Sequence, residues 1–391
     1  MVGGPGEPVA GFRERFRRLF ETPSPVRPGI YHYRREAGGR MMRLHLRVEA
    51  DGSGVLLVNA ATVLHLNASA TAYALELIRD ASDANAASAV RSRFRVSRQH
   101  ALADYQQLRD QILRVATQPD LDPVVFLGMD RREPYASRPS APYRIDLALT
   151  YATDPGGALD PLAHKRVDRE MTTEEWKTVL RSAWAAGIPH VTFTGGEPTR
   201  RPDLVALIGY AQELGQVTGL LTEGRRLADA AYLKSLEAAG LDHILLSLAP
   251  TESTSMAGLR AALASEIFTA VHLTLSVSPA QARTLLTDLK ALGVPAVSLT
   301  VADPGAQGRS TLAEARQTMA ALGLDLIWDL PAPYSSRHPI QLELDAPAEG
   351  GGRAWLYVEP DGDVLPTQGI DHVLGNVQRD SWTDLWARAA A

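Results

Sequence analysis

Hydrophobic and polar positions change period along this chain, and the changes divide it. From residue 143 to 330, short apolar runs alternate with amphipathic stretches. The strand-like runs are 145–150, 190–194, 217–221, 243–248, 271–277, 296–301 and 324–328. Between them, apolar residues fall at helical spacing over 172–187, 203–214, 228–239, 256–264, 280–292 and 312–322. The first of these helices opens on a capping box, Thr172-x-x-Glu175. Its predicted buried stripe is Trp176, Val179, Leu180 and Ala183. Repeated strand-then-helix units with short turns predict parallel strands joined by right-handed crossovers. About six units fall short of the eight that close a barrel. The predicted class is therefore α/β, a partial (β/α)6 TIM-like barrel, with a doubly wound open sheet as the alternative. Both place a ligand at the C-terminal ends of the strands.

The flanks have other periods. In residues 1–39, Phe12, Phe16, Leu19 and Phe20 recur at helical spacing among arginines, which predicts a lead-in helix and a linker. Residues 40–117 begin with strand-like runs: 42–48, with Leu44, Leu46 and Val48 on one face, then 55–58 and 63–66. Asp51-Gly52-Ser53-Gly54 is turn chemistry. Asn67 is a helix N-cap, and two more helical stretches follow over 86–94 and 97–112. A small sheet followed by three helices predicts a winged-helix-like module. Residues 118–142 hold five prolines and read as a linker. Residues 331–391 begin Pro/Gly-rich. A strand then runs over 354–358, Asp361-Gly362 turns, Val364-Leu365 returns, and a last helix carries Trp382, Leu385 and Trp386.

The composition narrows the chemistry. Of 391 residues, 45% are hydrophobic and 22% charged, an ordinary balance for a globular chain long enough for several domains. A net charge of −5 suggests neither a nucleic-acid nor a membrane partner. The N-terminus lacks the apolar stretch of a secretory signal, so the expected location is cytoplasmic. There is no cysteine. That excludes disulfides, thiol nucleophiles and thiolate-ligated iron–sulfur clusters.

The sharpest local signal is Thr194-Gly195-Gly196-Glu197-Pro198, at the end of the second barrel strand. Two glycines allow close backbone approach to a ligand, and a carboxylate after them can hold a cation or an ammonium group. A tight strand-to-helix turn accounts for the same residues. This motif resembles the GGEP motif of the radical SAM family, which contacts the amino group of S-adenosylmethionine. Leu149-Thr150-Tyr151, Met171-Thr172-Thr173-Glu174-Glu175-Trp176, Arg201-Pro202-Asp203-Leu204 and Ser247-Leu248 resemble the family's first strand end, first helix start, post-GGEP segment and SLDG segment. Val358-Glu359-Pro360-Asp361-Gly362-Asp363-Val364-Leu365-Pro366 and Gly375-Asn376-Val377 resemble the C-terminal SPASM or twitch region. The first domain resembles a PqqD-like RiPP recognition element, which takes a leader peptide as an added strand. The resemblance implies a cofactor-binding set of Gly195, Gly196, Glu197, Pro198 and Ser247.

The departures carry as much weight. The family's CxxxCxxC positions fall at Thr153, Gly157 and Asp160. Thr367 and Glu349 stand near auxiliary cysteine positions, Glu223 replaces a usual Asn, and Ala249 replaces the Asp of SLDG. One hydroxyl and one carboxylate cannot substitute for three thiolates. The expectation is a pseudoenzyme for radical chemistry, with no iron–sulfur cluster and no resident metal. It would bind a precursor leader peptide, or a partner maturation enzyme, during ribosomal peptide maturation. The alternative is an enzyme that binds S-adenosylmethionine or another small molecule and does polar chemistry, with Glu197 or Glu223 as base. A chain stripped of its cysteines by design is a third reading, and Gly157 speaks against it.

Other clusters read blandly. Asp154, Asp160, His164 and Asp168 suit a hard metal on paper and a solvated loop as well. His190, His243 and His272 read as core or rim residues. Asp361-Gly362-Asp363 reads as a hairpin turn, since the rest of a calcium loop is missing.

Overall fold

The computed structural model describes residues 26–37, 40–59, 62–117, 138–154, 167–301, 305–327, 350–370 and 372–390. The lead-in helix expected around Phe12 to Phe20 lies outside them. The chain divides into two compact units, Met1–Asp130 and Arg131–Ala391.

The first unit holds a four-stranded antiparallel sheet in the order β1-β2-β3-β4. Its strands are β1 (Gly29–Ala37), β2 (Arg40–Val48), β3 (Gly54–Val58) and β4 (Thr62–Leu66). The turn after β2 is built as its residues demand: the Asp51 carboxylate accepts from the Ser53 amide at 2.9 Å. Helices α1 (Ala68–Ile78), α2 (Asp83–Arg93) and α3 (Arg98–Thr117) follow. The Asn67 side chain caps α1 by accepting from the Ala70 amide. Leu44, Leu46 and Leu56 on the sheet pack with Leu75, Tyr105 and Ile112 on the helices. Strand β1 was not expected, because its segment was assigned to the lead-in. It pairs with β2 along its whole length, from Gly29↔Val48 to Ala37↔Arg40.

The second unit is built on a ten-stranded sheet. Seven strands run parallel, as the apolar runs predicted: β5 (Arg144–Thr150), β6 (His190–Gly195), β7 (Val217–Thr222), β8 (His243–Ser247), β9 (Phe268–Leu275), β10 (Ala296–Val301) and β11 (Asp325–Ile327). The crossovers are α4 (Thr173–Ala185), α5 (Leu204–Leu214), α6 (Ala230–Ala239), α7 (Ser253–Leu263), α8 (Pro279–Ala291) and α9 (Ala306–Leu322). Spatial order follows chain order from β5 to β11. A doubly wound sheet reverses direction at a switch point, and this one does not. Crossovers of one hand stepping one way put every helix on one side of the sheet.

The faces of the sheet differ accordingly. Leu147, Phe193, Leu220, Leu246, Leu273 and Leu299 join the apolar core with the helices. The alternate residues face the other way and are mixed: Asp146, Thr192, Thr194, His272, Ser298 and Thr300 are buried there beside a small apolar cluster of Leu221, Leu245, Ala270 and Ala296. The C-terminal segment continues this sheet. Strand β12 (Trp355–Val358) lies parallel beside β5, and β13 (Asp363–Leu365) and β14 (Gly375–Asn376) follow it antiparallel. Helix α10 (Trp382–Arg388) buries Trp382, Leu385 and Trp386. Among the described residues, no helix is long and apolar enough to cross a membrane.

Candidate functional site

The strand exits of β5, β6 and β7 meet at the GGEP motif. Gly195 holds φ +121°, and a Cβ there would lie 2.2 Å from the Thr150 carbonyl oxygen. A Cβ on Gly196 would lie 2.4 Å from the Ala152 carbonyl oxygen. The bare backbone lets the Gly196 amide donate to Thr150 O at 2.7 Å and the Glu197 amide donate to Ala152 O at 2.8 Å. The close approach permitted by these glycines is thus to the exit of β5, within the protein itself. Pro198 starts a short 3-10 turn over Pro198–Arg200 and is buried.

The Glu197 carboxylate faces inward and is 1% exposed. Its Oε1 accepts from the Thr199 amide at 3.0 Å, the Thr199 hydroxyl at 2.5 Å and the Thr222 hydroxyl at 2.8 Å. Its Oε2 accepts from the Glu223 amide at 2.8 Å. The side chain therefore ties the exit of β6 to the exit of β7. Such a committed carboxylate is a poor general base. The sequence offered one cue to this, a hydroxyl two residues after the acid, which lets the acid cap its own turn.

Glu223 sits differently. It is half-buried, with Oε2 3.3 Å from Arg225 Nη2, while Arg225 is held by Glu252 through two bonds of 2.9 Å. Burial pushes the Glu223 carboxyl up; Arg225 opposes this, and Glu197, Asp154 and Glu252 reinforce it. Asp154, which pairs with Arg200 at 2.9 Å, completes an acidic trio whose oxygens lie within 4.8 Å of one another. The pairing of Glu197 with Glu223 was expected. The addition of Asp154, and the guanidinium groups of Arg200 and Arg225, were not.

The remaining candidates scatter. Ser247 ends β8, half-buried. Thr153 follows β5, whereas Gly157, Asp160, His164 and Glu349 lie outside the described residues. Asp168 is exposed and stands apart from the trio. His272 is a core residue. Its Nδ1 meets Ser298 Oγ at 3.1 Å, its Nε2 meets Thr300 Oγ1 at 3.2 Å, and burial lowers its pKa to about 4. His190 and His243 stack edge to face, with centroids 5.0 Å apart, across the space left by Gly219. Burial is the largest cause of the lowered His190 pKa, before His243 and Arg144. Asp361 and Asp363 form the expected hairpin, with the Asn376 side-chain Nδ2 donating to Asp363 Oδ1 at 2.9 Å.

Residues 162–305 match the family model described as the Radical SAM superfamily. A PqqA peptide cyclase of Methylobacterium sp. (strain 4-46) is 31% identical over 266 residues, covering 59% of this chain and 69% of that one. The chain belongs to the radical SAM superfamily. A PqqA peptide cyclase of Rhizobium meliloti (strain 1021) is 29% identical over 294 residues, covering 66% of this chain and 75% of that one. Two crystal structures of Streptococcus suis SuiB share the fold. The one bound to S-adenosylmethionine superposes with a TM-score of 0.56 at 15% identity, covering 88% of this chain and 86% of SuiB. The one bound to precursor peptide SuiA gives 0.58 at 14%, covering 87% and 86%.

Radical SAM chemistry calls for a thiolate-held [4Fe–4S] cluster, and the residues present do not fit one. No thiol exists anywhere in the chain, and Thr153, the described member of the three positions, offers only a hydroxyl. After anaerobic reconstitution with iron and sulfide and removal of excess reagent, the protein is expected to remain colourless. A retained visible charge-transfer band with stoichiometric iron would show that other ligands suffice.

Proposed function

We propose that this protein is a radical SAM pseudoenzyme of ribosomal peptide maturation. It binds a precursor peptide through its leader and presents it to a separate maturation enzyme. The observation that carries this reading is a radical SAM superfamily chain that keeps seven parallel strands and has no cysteine. A radical enzyme cannot lose every thiolate and keep its chemistry, but peptide binding needs only backbone partners and pockets. The first unit suits a PqqD-like recognition element: β4 is an edge strand with α1 packed beside it, and α3 lies against the neighbouring strands β2 and β3. Val63 on that strand is an exposed apolar side chain. The segment from β12 to α10 suits a SPASM- or twitch-like region without its clusters. The names of the relatives, PqqA peptide cyclases and a SuiB structure with its precursor peptide, agree with a peptide partner.

The test uses fluorescent leader segments of candidate precursor peptides, those of the PqqA and SuiA type first. Anisotropy is expected to rise on titration with the full chain, with hydrogen-exchange protection concentrated in the edge strand β4. Val63→Glu should weaken binding about fivefold, by removing an apolar contact beside the added strand. Absence of binding, or protection elsewhere only, would remove the scaffold reading.

A further inference from the structure

The sheet of the first unit has two faces, and its helices account for one of them. Leu44, Leu46 and Leu56 pack with Leu75, Tyr105 and Ile112, and α2 packs on α1 and α3. Strand alternation turns His45, Arg47, Val55 and Leu57 to the opposite face. The register sets Leu57 between His45 and Val63, and Val55 between Arg47 and His65. On an uncovered antiparallel sheet this face would stand in water and carry polar residues. Here it is buried: His45 is 5% exposed, Arg47 4%, Val55 6% and Leu57 2%. Cross-strand neighbours alone do not bury a leucine that far, so another part of the chain covers this face.

The chemistry of the face specifies its cover. Arg47 is always charged, and a buried guanidinium calls for a carboxylate. Strands β2, β3 and β4 contain no acidic residue, while Arg43 and His45 share the face with Arg47. All three are engaged in interactions. The cover must bring acids and apolar groups together. Two apolar stretches of the first unit lie outside the described residues. The lead-in, 12–20, carries four arginines and one glutamate, the wrong sign for this face. Residues 120–130 carry three aspartates and no basic residue, around Val124, Val125, Phe126 and Leu127. Reach favours the same stretch. The Asn59 side chain accepts from the Arg43 amide at 2.9 Å and donates to the Ala116 carbonyl at 3.0 Å. The end of α3 is therefore fixed beside β2 and β3. Eleven extended residues span about 35 Å, against about 15 Å for the width of four strands. The first compact unit ends at Asp130, as this stretch does.

We propose that the helix-free face of the first sheet is a docking surface for an acidic, apolar chain segment, and that its occupant is residues 120–130 of this same chain. The apolar residues 124–127 lie over Val55 and Leu57, and the aspartates face Arg43, His45 and Arg47. The stretch that joins the two units is thus a packed part of the first one, and the basic face is closed to other acidic chains. Val63 and His65 form the β4 rim of that face, so the segment also walls the edge at which a peptide strand would be added. The proposal stands whether or not a leader binds there.

The experiment uses the absence of cysteine from the chain. Leu57→Cys puts a single thiol on the face of the full-length protein, and its rate of maleimide labelling reports the cover. Adding Asp120→Lys and Asp122→Lys should speed labelling about tenfold, because lysines there repel Arg43 and Arg47 and open the cover. Adding Phe12→Ser and Phe16→Ser in the lead-in should leave the rate unchanged. Thermal melts identify any rate that rises through unfolding of the unit. No acceleration by the aspartate reversals would overturn the assignment, and acceleration by the lead-in pair would give the face to the lead-in. A second measurement avoids the buried position. A short bismaleimide should join His65→Cys to Val125→Cys within one chain, and should not join Ser88→Cys on α2 to Val125→Cys, both partners of Val125 being exposed positions. Failure of the first pair to join, or equal joining of both pairs, would overturn the proposal even if Leu57→Cys did not fold.

Discussion

Gly195→Ala is expected to destabilise the second unit by about 4 kcal/mol, enough to bring much of it near its unfolding threshold. Two effects add. The residue holds φ +121°, a region that a side chain disfavours. The new Cβ would also stand 2.2 Å from the Thr150 carbonyl oxygen, a backbone atom inside a parallel strand pair that cannot swing aside. Relief would part β5 from β6 and break the bond from the Gly196 amide to Thr150 O. The control is Gly209→Ala, in the middle of α5. A Cβ there meets nothing within 4 Å, and helix propensity predicts a gain of up to about 1 kcal/mol. Urea unfolding followed by far-UV circular dichroism reads both. A loss below about 1 kcal/mol for Gly195→Ala would mean that the exit of β5 yields easily. The paired glycines would then need a ligand, not the neighbouring backbone, to explain them.

That contrast shows where sequence reading works and where it stops. The parallel strands were legible because each carries consecutive apolar residues on a half-buried or fully buried run, punctuated by capped helices. Thr172 and Glu175 form the capping box that their spacing predicted, and Trp176, Val179, Leu180 and Ala183 are buried as read. Strand β1 was hidden because Gly29–Ala37 alternates tyrosine, histidine and arginine with no strong apolar face. Its partial packing comes from Tyr31 and Tyr33 against a core assembled by later residues. Asp154 was legible as a loop carboxylate, but its place beside Glu197 and Glu223 was hidden for another reason. It joins Glu197 and Glu223 only because parallel strands bring distant loops to one edge, and no local spacing records that. The role of Glu197 was read one step short. The motif identified a carboxylate at the right place; the Thr199 hydroxyl that occupies it is local, but the Thr222 hydroxyl comes from the end of β7, 25 residues on.

Glu197→Ala is expected to lower the stability of the second unit by about 3 kcal/mol, a fall in melting temperature of roughly 8 °C. Four donors lose their acceptor at a site that water does not reach freely: the Thr199 amide and hydroxyl, the Thr222 hydroxyl and the Glu223 amide. Part of the loss is returned, because removing one carboxylate relieves repulsion with Glu223 and Asp154. Glu197→Gln separates the two contributions. The amide oxygen can keep the hydroxyl contacts, while the amide nitrogen faces the Glu223 N–H, donor against donor. Its cost should be about half that of alanine. Differential scanning calorimetry of the three proteins measures the order directly. If alanine proves neutral, the four hydrogen bonds add no net stability, and the inward carboxylate would need a ligand to explain it. If the order holds, then loss of ligand binding in Glu197→Ala carries no information about direct contact, because the exit of β7 loosens with it. Glu223, half-buried and joined to the frame mainly by its backbone, is the position at which binding and folding can be told apart.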